Sequence, residues 1–175
     1  YYRFAEEDKA KIIAVFETHP HADFISGHLQ IHQETGASIY VSDRVGVNYP
    51  HTTFDEGQRL KVGRITFRSL HTPGHSPDSL TFVAEKDGET ALFTGDTLFI
   101  GDVGRPDLRE KAGNLRAKRI ELAKAMYQTM QTKFNDFPDE TLVYPAHGAG
   151  SLCGKKYERF SFKYFKRRAH GKLGF

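Results

Sequence analysis

Cysteine is almost absent. Cys153 stands alone among 175 residues, which excludes an internal disulfide framework and suits a reducing compartment. Long apolar runs are lacking too. No stretch approaches the ~20 residues a membrane-spanning helix needs, and no secretory leader is visible. Both points favour a cytoplasmic protein with no membrane partner. There is no tryptophan, no internal repeat, no low-complexity tract and no clear linker. Hydrophobic residues make up 38% and charged residues 27% of the chain, so it is neither disordered nor membrane-spanning. The length suits one domain with a real core.

The net charge of +3 hides a division. Residues 155–175 hold eight Lys/Arg and one Glu, so the preceding 154 residues are net acidic. That basic segment also interleaves Tyr157, Phe160, Phe162, Tyr164 and Phe165. Such interleaving suits a nucleic-acid contact, but a packed amphipathic terminus with a solvated basic face explains it more simply. Nucleic acid is therefore not an expected partner. The expected division is a domain over residues 1–154 and a basic aromatic segment over 155–175.

Strand-like runs dominate the rest. Residues 6–11 read as the end of a polar helix or a loop. Ile12 to Phe16 is a short apolar run expected to be a strand buried on both faces. Ser26 to Thr35 reads as a helix, with Ser26 as N-cap and Gly36 as the C′ residue. Ala37 to Val41 reads as a second buried strand, and 43–58 as loop. Leu60–Val62 and Ile65–Phe67 flank Gly63 as a hairpin or bulged pair, and the second strand runs on toward His71. Leu80–Val83 and Ala91–Phe93 flank Asp87-Gly88, a strong hairpin signal. Residues 115–133 carry apolar side chains at helical spacing, and Leu142–Tyr144 is a short strand. The mixture indicates an α+β layered sandwich.

Four fragments carry the chemistry: Thr18-His19-Pro20-His21-Ala22-Asp23-Phe24, Thr72-Pro73-Gly74-His75, Thr94-Gly95-Asp96 and Tyr144-Pro145-Ala146-His147-Gly148. Each sets a metal-type ligand just after a strand-like run. In an extended loop His19, His21 and Asp23 project the same way. Pro73-Gly74 makes a tight turn that frees His75. Asp96 follows a glycine at a strand end. Glu17 and Thr18, just before the first histidine, would fix the loop.

In this order the fragments resemble the metallo-β-lactamase superfamily, in its glyoxalase II and persulfide dioxygenase branch. The resemblance spans Thr18 to Gly154. It implies an αββα sandwich with a metal site at one edge of two sheets; the N-terminal strands of that fold have no counterpart in this chain. Two-metal members usually carry a histidine where Phe24 stands, and phenylalanine cannot coordinate. The resemblance to persulfide dioxygenases implies one Fe(II) per chain on His19, His75 and Asp96, which double as the catalytic residues. Two histidines and a carboxylate leave open positions on Fe(II). Zinc fits the same ligands but has no redox role. His21, Asp23 and His147 are then outer groups that orient ligands or water, or direct ligands. Arg105, in Gly104-Arg105-Pro106-Asp107, is the counterpart of an arginine that binds glutathione in the family, and a two-point contact would suit a substrate carboxylate.

The loop Gly148-Ala149-Gly150-Ser151-Leu152-Cys153-Gly154 departs from glutathione-specific members, which follow the histidine with aspartate and tyrosine. It looks like a bacterial subgroup often fused to rhodanese domains. The expected function is oxidation of a thiol persulfide by dioxygen to sulfite and thiol. A rhodanese domain or sulfurtransferase is an expected partner, and a homo-oligomer is among the expectations. The alternatives are a glyoxalase II-like, metal-dependent thioester hydrolase, and a non-catalytic sulfur-relay or binding module using Cys153, for which a buried structural thiol is the plainer role.

Overall fold

A computed structural model describes residues 1–21, 23–107 and 115–147, the main chain alone for 115–118. The 148–154 loop, Cys153, the basic segment and hence the division at 154 lie outside these residues. The elements are α1 (Tyr2–Glu7), β1 (Ala14–Phe16), α2 (His28–Thr35), β2 (Ser38–Val41), β3 (Thr52–Thr53), β4 (Arg59–Val62), β5 (Ile65–His71), β6 (Leu80–Lys86), β7 (Glu89–Gly95), β8 (Leu98–Phe99), β9 (Asp102–Val103), α3 (Leu115–Lys133) and β10 (Leu142–Pro145).

Two sheets face one another. The smaller is parallel, in the order β1-β2-β3; the larger runs β10-β7-β6-β5-β4. Between them lies an aromatic-rich core of Phe54, Leu80 and Phe82 packed against Phe16, Tyr40 and Leu60. Phe16 alone approaches Tyr40, Phe54, Phe67 and Phe82 at centroid distances of 5.0–5.5 Å. On the far side of the larger sheet, Leu70, Val83 and Leu92 pack with Met126 and Met130 of α3 and with Phe134 just beyond it. α2 lies against β1 and β2. The layers are therefore helix, sheet, sheet, helix, the αββα sandwich expected from the motifs. β6 is apolar on both faces for this reason: Phe82 enters one core and Val83 the other.

Local signals held where turn chemistry was strong. Asp87 (φ 51°) and Gly88 (φ 86°) close the β6–β7 hairpin in the left-handed conformations a two-residue turn needs. Gly36 ends α2 in the left-handed region. Three expectations need correcting. β1 is not buried on both faces: its residues are half-buried and Ile13 is 57% exposed, because β1 is the edge of its sheet. Ser26 does not cap α2, whose N-cap is Gly27 without a side-chain bond; the Ser26 hydroxyl is spent on Glu17 instead. The early helix is α1, ending at Glu7, so residues 8–11 follow it rather than belong to it. Among the described residues no helix is long and apolar enough to cross a membrane.

Candidate metal centre

The four fragments converge at strand ends. β1 leads into Thr18 and His19, and the Thr18 carbonyl accepts the amide of Leu80 at 2.8 Å, pinning the loop to the start of β6. Thr18 Oγ1 lies 3.1 Å from His19 Nδ1, which leaves Nε2 to face inward. Gly95 makes this approach feasible: a Cβ there would stand 2.6 Å from Thr18 Oγ1. His75 sits in the turn after β5. That turn is bolted to α3, since Thr129 Oγ1 donates to the Pro73 carbonyl at 2.8 Å. Gly74 packs so tightly that a Cβ would meet Met126 at 2.6 Å. His75 Nδ1–H donates to the Arg105 carbonyl at 3.0 Å, directing Nε2 toward Asp96.

Asp96 follows β7, and His147 follows β10, the parallel neighbour of β7. The Ala146 amide bonds the Gly95 carbonyl at 3.0 Å, so the two strand ends stay side by side. His147 Nδ1–H donates to Asp96 Oδ1 at 2.6 Å.

The other carboxylate oxygen, Asp96 Oδ2, lies 3.6 Å from His19 Nε2, 3.6 Å from His75 Nε2 and 3.7 Å from His21 Nδ1. None of these distances is a hydrogen bond. Two donors at ~2.1 Å from one ion, at the tetrahedral angle, stand ~3.4 Å apart. His19 Nε2, His21 Nδ1 and Asp96 Oδ2 are buried without a hydrogen-bond partner, which costs free energy unless something binds them. His19, His75 and Asp96 thus form one buried group of donors all within 4.8 Å, and His21, Asp23 and His147 form a second, more open one. In the second, His147 Nε2 approaches Asp23 Oδ2 at 2.8 Å but is not aligned as a hydrogen bond. These residues fit a metal by donor type, spacing and orphaned atoms.

The electrostatics agree. Burial alone would raise the Asp96 carboxyl, but the imidazoles of His19 and His147 outweigh it and hold Asp96 well below the usual carboxylate range. Burial, then the neighbouring His19, lowers His21 to about 4. Burial would lower His147 too, but the Asp96 hydrogen bond and the Asp96 and Asp23 charges raise it above its ordinary value.

Two further residues singled out in the sequence take definite places beside these groups. Phe24 stacks on His21, centroids 4.2 Å apart and rings 30° from parallel, and lies 6.0 Å from His147. It therefore walls the second group rather than supplying a ligand. The Arg105 guanidinium is engaged by Asp107, both oxygens at 2.6 Å, and its carbonyl accepts from His75 Nδ1–H. Sequence reasoning missed that carbonyl and Gly104, whose main chain abuts Asp96. The tight Gly-Arg-Pro loop was the available signal.

Residues 2–147 match the metallo-beta-lactamase superfamily, and the chain belongs to that superfamily. Among solved structures, a metallo-beta-lactamase from Staphylococcus aureus subsp. aureus COL is similar at TM-score 0.85 and 35% identity, over 99% of this chain and 55% of that one. ETHE1 from Myxococcus xanthus is similar at TM-score 0.76 and 29% identity, over 97% and 66%. Among curated proteins, a probable hydroxyacylglutathione hydrolase of Schizosaccharomyces pombe is 33% identical over 77% of this chain and 47% of its own length. The mitochondrial persulfide dioxygenase ETHE1 of Mus musculus is 29% identical over 78% and 49%. The chain spans about half the length of these curated relatives.

Proposed function

We propose that this chain carries the active site of a mononuclear non-haem iron dioxygenase that converts a thiol persulfide, dioxygen and water into thiol, sulfite and two protons. The observation that carries the reading is the buried set of His19, His75 and Asp96, in which the unpartnered His19 Nε2 and Asp96 Oδ2 stand 3.6 Å apart and His75 Nε2 lies at the same distance from that oxygen. Similarity to persulfide dioxygenases supports it. Fe(II) on such a set would supply a redox centre with open positions for both substrates.

The residues of the chain have separate tasks. Thr18 and the Arg105 carbonyl hold the two imidazoles with Nε2 inward. Asp96 supplies the negative charge, and His147 steadies it by donating to its outer oxygen. Phe24 presents an apolar wall beside the site. Arg105, one side of whose fork is held by Asp107, would meet the thiol carrier. The carrier is glutathione, another low-molecular-weight thiol or a rhodanese-type partner.

A glyoxalase II-like hydrolase is the second reading. The group His21, Asp23 and His147 and the hydroxyacylglutathione hydrolase relatives favour it. Oxygen uptake by the Fe(II)-loaded protein with glutathione persulfide, sulfite assayed alongside, tests the first reading. Coupled uptake that vanishes in Asp96→Ala is expected. Hydrolysis of a glutathione thioester by the zinc-loaded protein, without uptake in the iron form, would replace the first reading with the second.

A further inference from the structure

We propose that Glu17 is a positioning residue: its carboxylate, through the hydroxyl of Ser26, closes the loop that carries His19, His21 and Asp23. Among the described residues, no main-chain to main-chain hydrogen bond joins any of those from His19 to Ser26 to another. The loop depends on side chains for its shape. Asp23 reaches His147, His21 stacks on Phe24, and Thr18 lies against His19. Each of these contacts involves a residue of the two donor groups. The tether from Ser26 does not. Its hydroxyl donates between the two Glu17 oxygens, at 2.9 and 2.8 Å, across nine positions of sequence.

Glu17 is well placed to be the fixed end. Its amide is bonded to the Tyr40 carbonyl at 2.9 Å, extending the β1–β2 ladder, and its side chain is 14% exposed. His28 packs beside it, Nδ1 3.6 Å from Oε2, and stacks on Tyr49 at 4.8 Å. Ser26 is the other end, just ahead of α2. Tying it back to β1 sets where the chain leaves the loop, and so where His21 and Asp23 stand. Closing such a loop has an entropic cost that rises with its length, and a displacement of ~1 Å at reacting groups can cost ~100-fold in rate. His19, His75 and Asp96 have anchors of their own in Thr18, the Arg105 carbonyl and His147. Loss of the tether should therefore spare metal uptake and disturb the surroundings of the metal.

The test uses the full chain and two readouts. The visible spectrum of the Co(II)-substituted protein reports the surroundings of the metal without turnover. Oxygen uptake with glutathione persulfide reports function, and only this half rests on the dioxygenase reading. In Glu17→Ala and Ser26→Ala, one metal ion per chain is retained and the Co(II) bands change. The kcat falls by about 10- to 100-fold with KM nearly unmoved. In Glu17→Gln the amide oxygen still accepts the Ser26 proton, and the wild-type spectrum returns. Wild-type spectra in both alanine variants would overturn the proposal, as would a Gln variant that behaves like Ala. If the alanine variants do not fold, Glu17→Gln decides: a wild-type spectrum supports the tether and an altered one refutes it. Wild-type protein without oxygen uptake would sink the dioxygenase reading and leave the spectral comparison standing.

Discussion

The main chain of Gly104 lies against the carbonyl of Asp96. A Cβ on residue 104 would overlap that oxygen and stand 2.9 Å from the Cβ of His75. The glycine is thus the spacer between two candidate ligands. Gly104→Ala must push Asp96 and His75 apart, at a cost of about 1–3 kcal/mol. We expect a melting temperature several degrees lower and metal content well below one ion per chain. Full metal loading in this variant would show that the contact relaxes freely.

Asp96→Asn keeps the shape and removes the charge that three imidazole nitrogens face at 3.6–3.7 Å. Outer partners of metal ligands are worth about 10- to 100-fold in affinity, so a direct carboxylate should be worth at least ~100-fold. Competition with a chromophoric chelator measures it. An unchanged affinity would remove Asp96 from the ligand set.

In the metal-free protein the same groups set the acid limb of stability. His21 has a native value of about 4 against 6.5 unfolded, so the unfolded chain takes up the proton first. That stability is complete above about pH 6.5, falls as pH drops toward 4, and amounts to about 3 kcal/mol at most. Asp96, held below the carboxylate range, adds a further loss at still lower pH. His147 runs the other way: its raised value stabilises below 6.5, and that share is lost as pH rises through the native value. Urea melts in chelator from pH 4 to 8 should show a maximum near neutrality, and His21→Asn should flatten the fall between 6.5 and 4. An acid limb unaltered by that substitution would exclude His21 as its source.

Phe24→His places an imidazole beside His21, Asp23 and His147, since the Phe24 ring already lies 4.2 Å from His21 and 6.0 Å from His147. Phe24 is half exposed, so little stability is at stake. Metal analysis should rise from one ion per chain toward two. A stoichiometry held at one would mean that Phe24 is not what limits the second group.

Features governed by local chemistry are legible in the sequence. Asp87-Gly88 announced its hairpin because few residues accept left-handed conformations, and Gly36 announced a helix end for the same reason. The ligand-type residues were legible because they follow strand-like runs. What escaped depends on distant partners. Ser26 looked like an N-cap because the local pattern cannot reveal that Glu17, nine residues earlier, takes its proton. Ile13 looked buried because an apolar run does not say whether its strand is central or at an edge. The part played by the Arg105 carbonyl escaped too, because His75 uses a main-chain group that every residue possesses.

The parallel pairing of β10 with β7 has a consequence in time. Parallel neighbours require a crossover, and here α3 provides it, so His147 enters the site 51 residues after Asp96. His19, His75 and Asp96 have all been synthesised by then. At ~5–20 residues per second of translation, the buried donor group is complete in covalent terms some ~3–10 s before His147 is added to the chain. The members of the buried donor group are thus laid down before α3, whose Thr129 holds the His75 turn, and before His147, so the inner group acquires its supports from chain made after it.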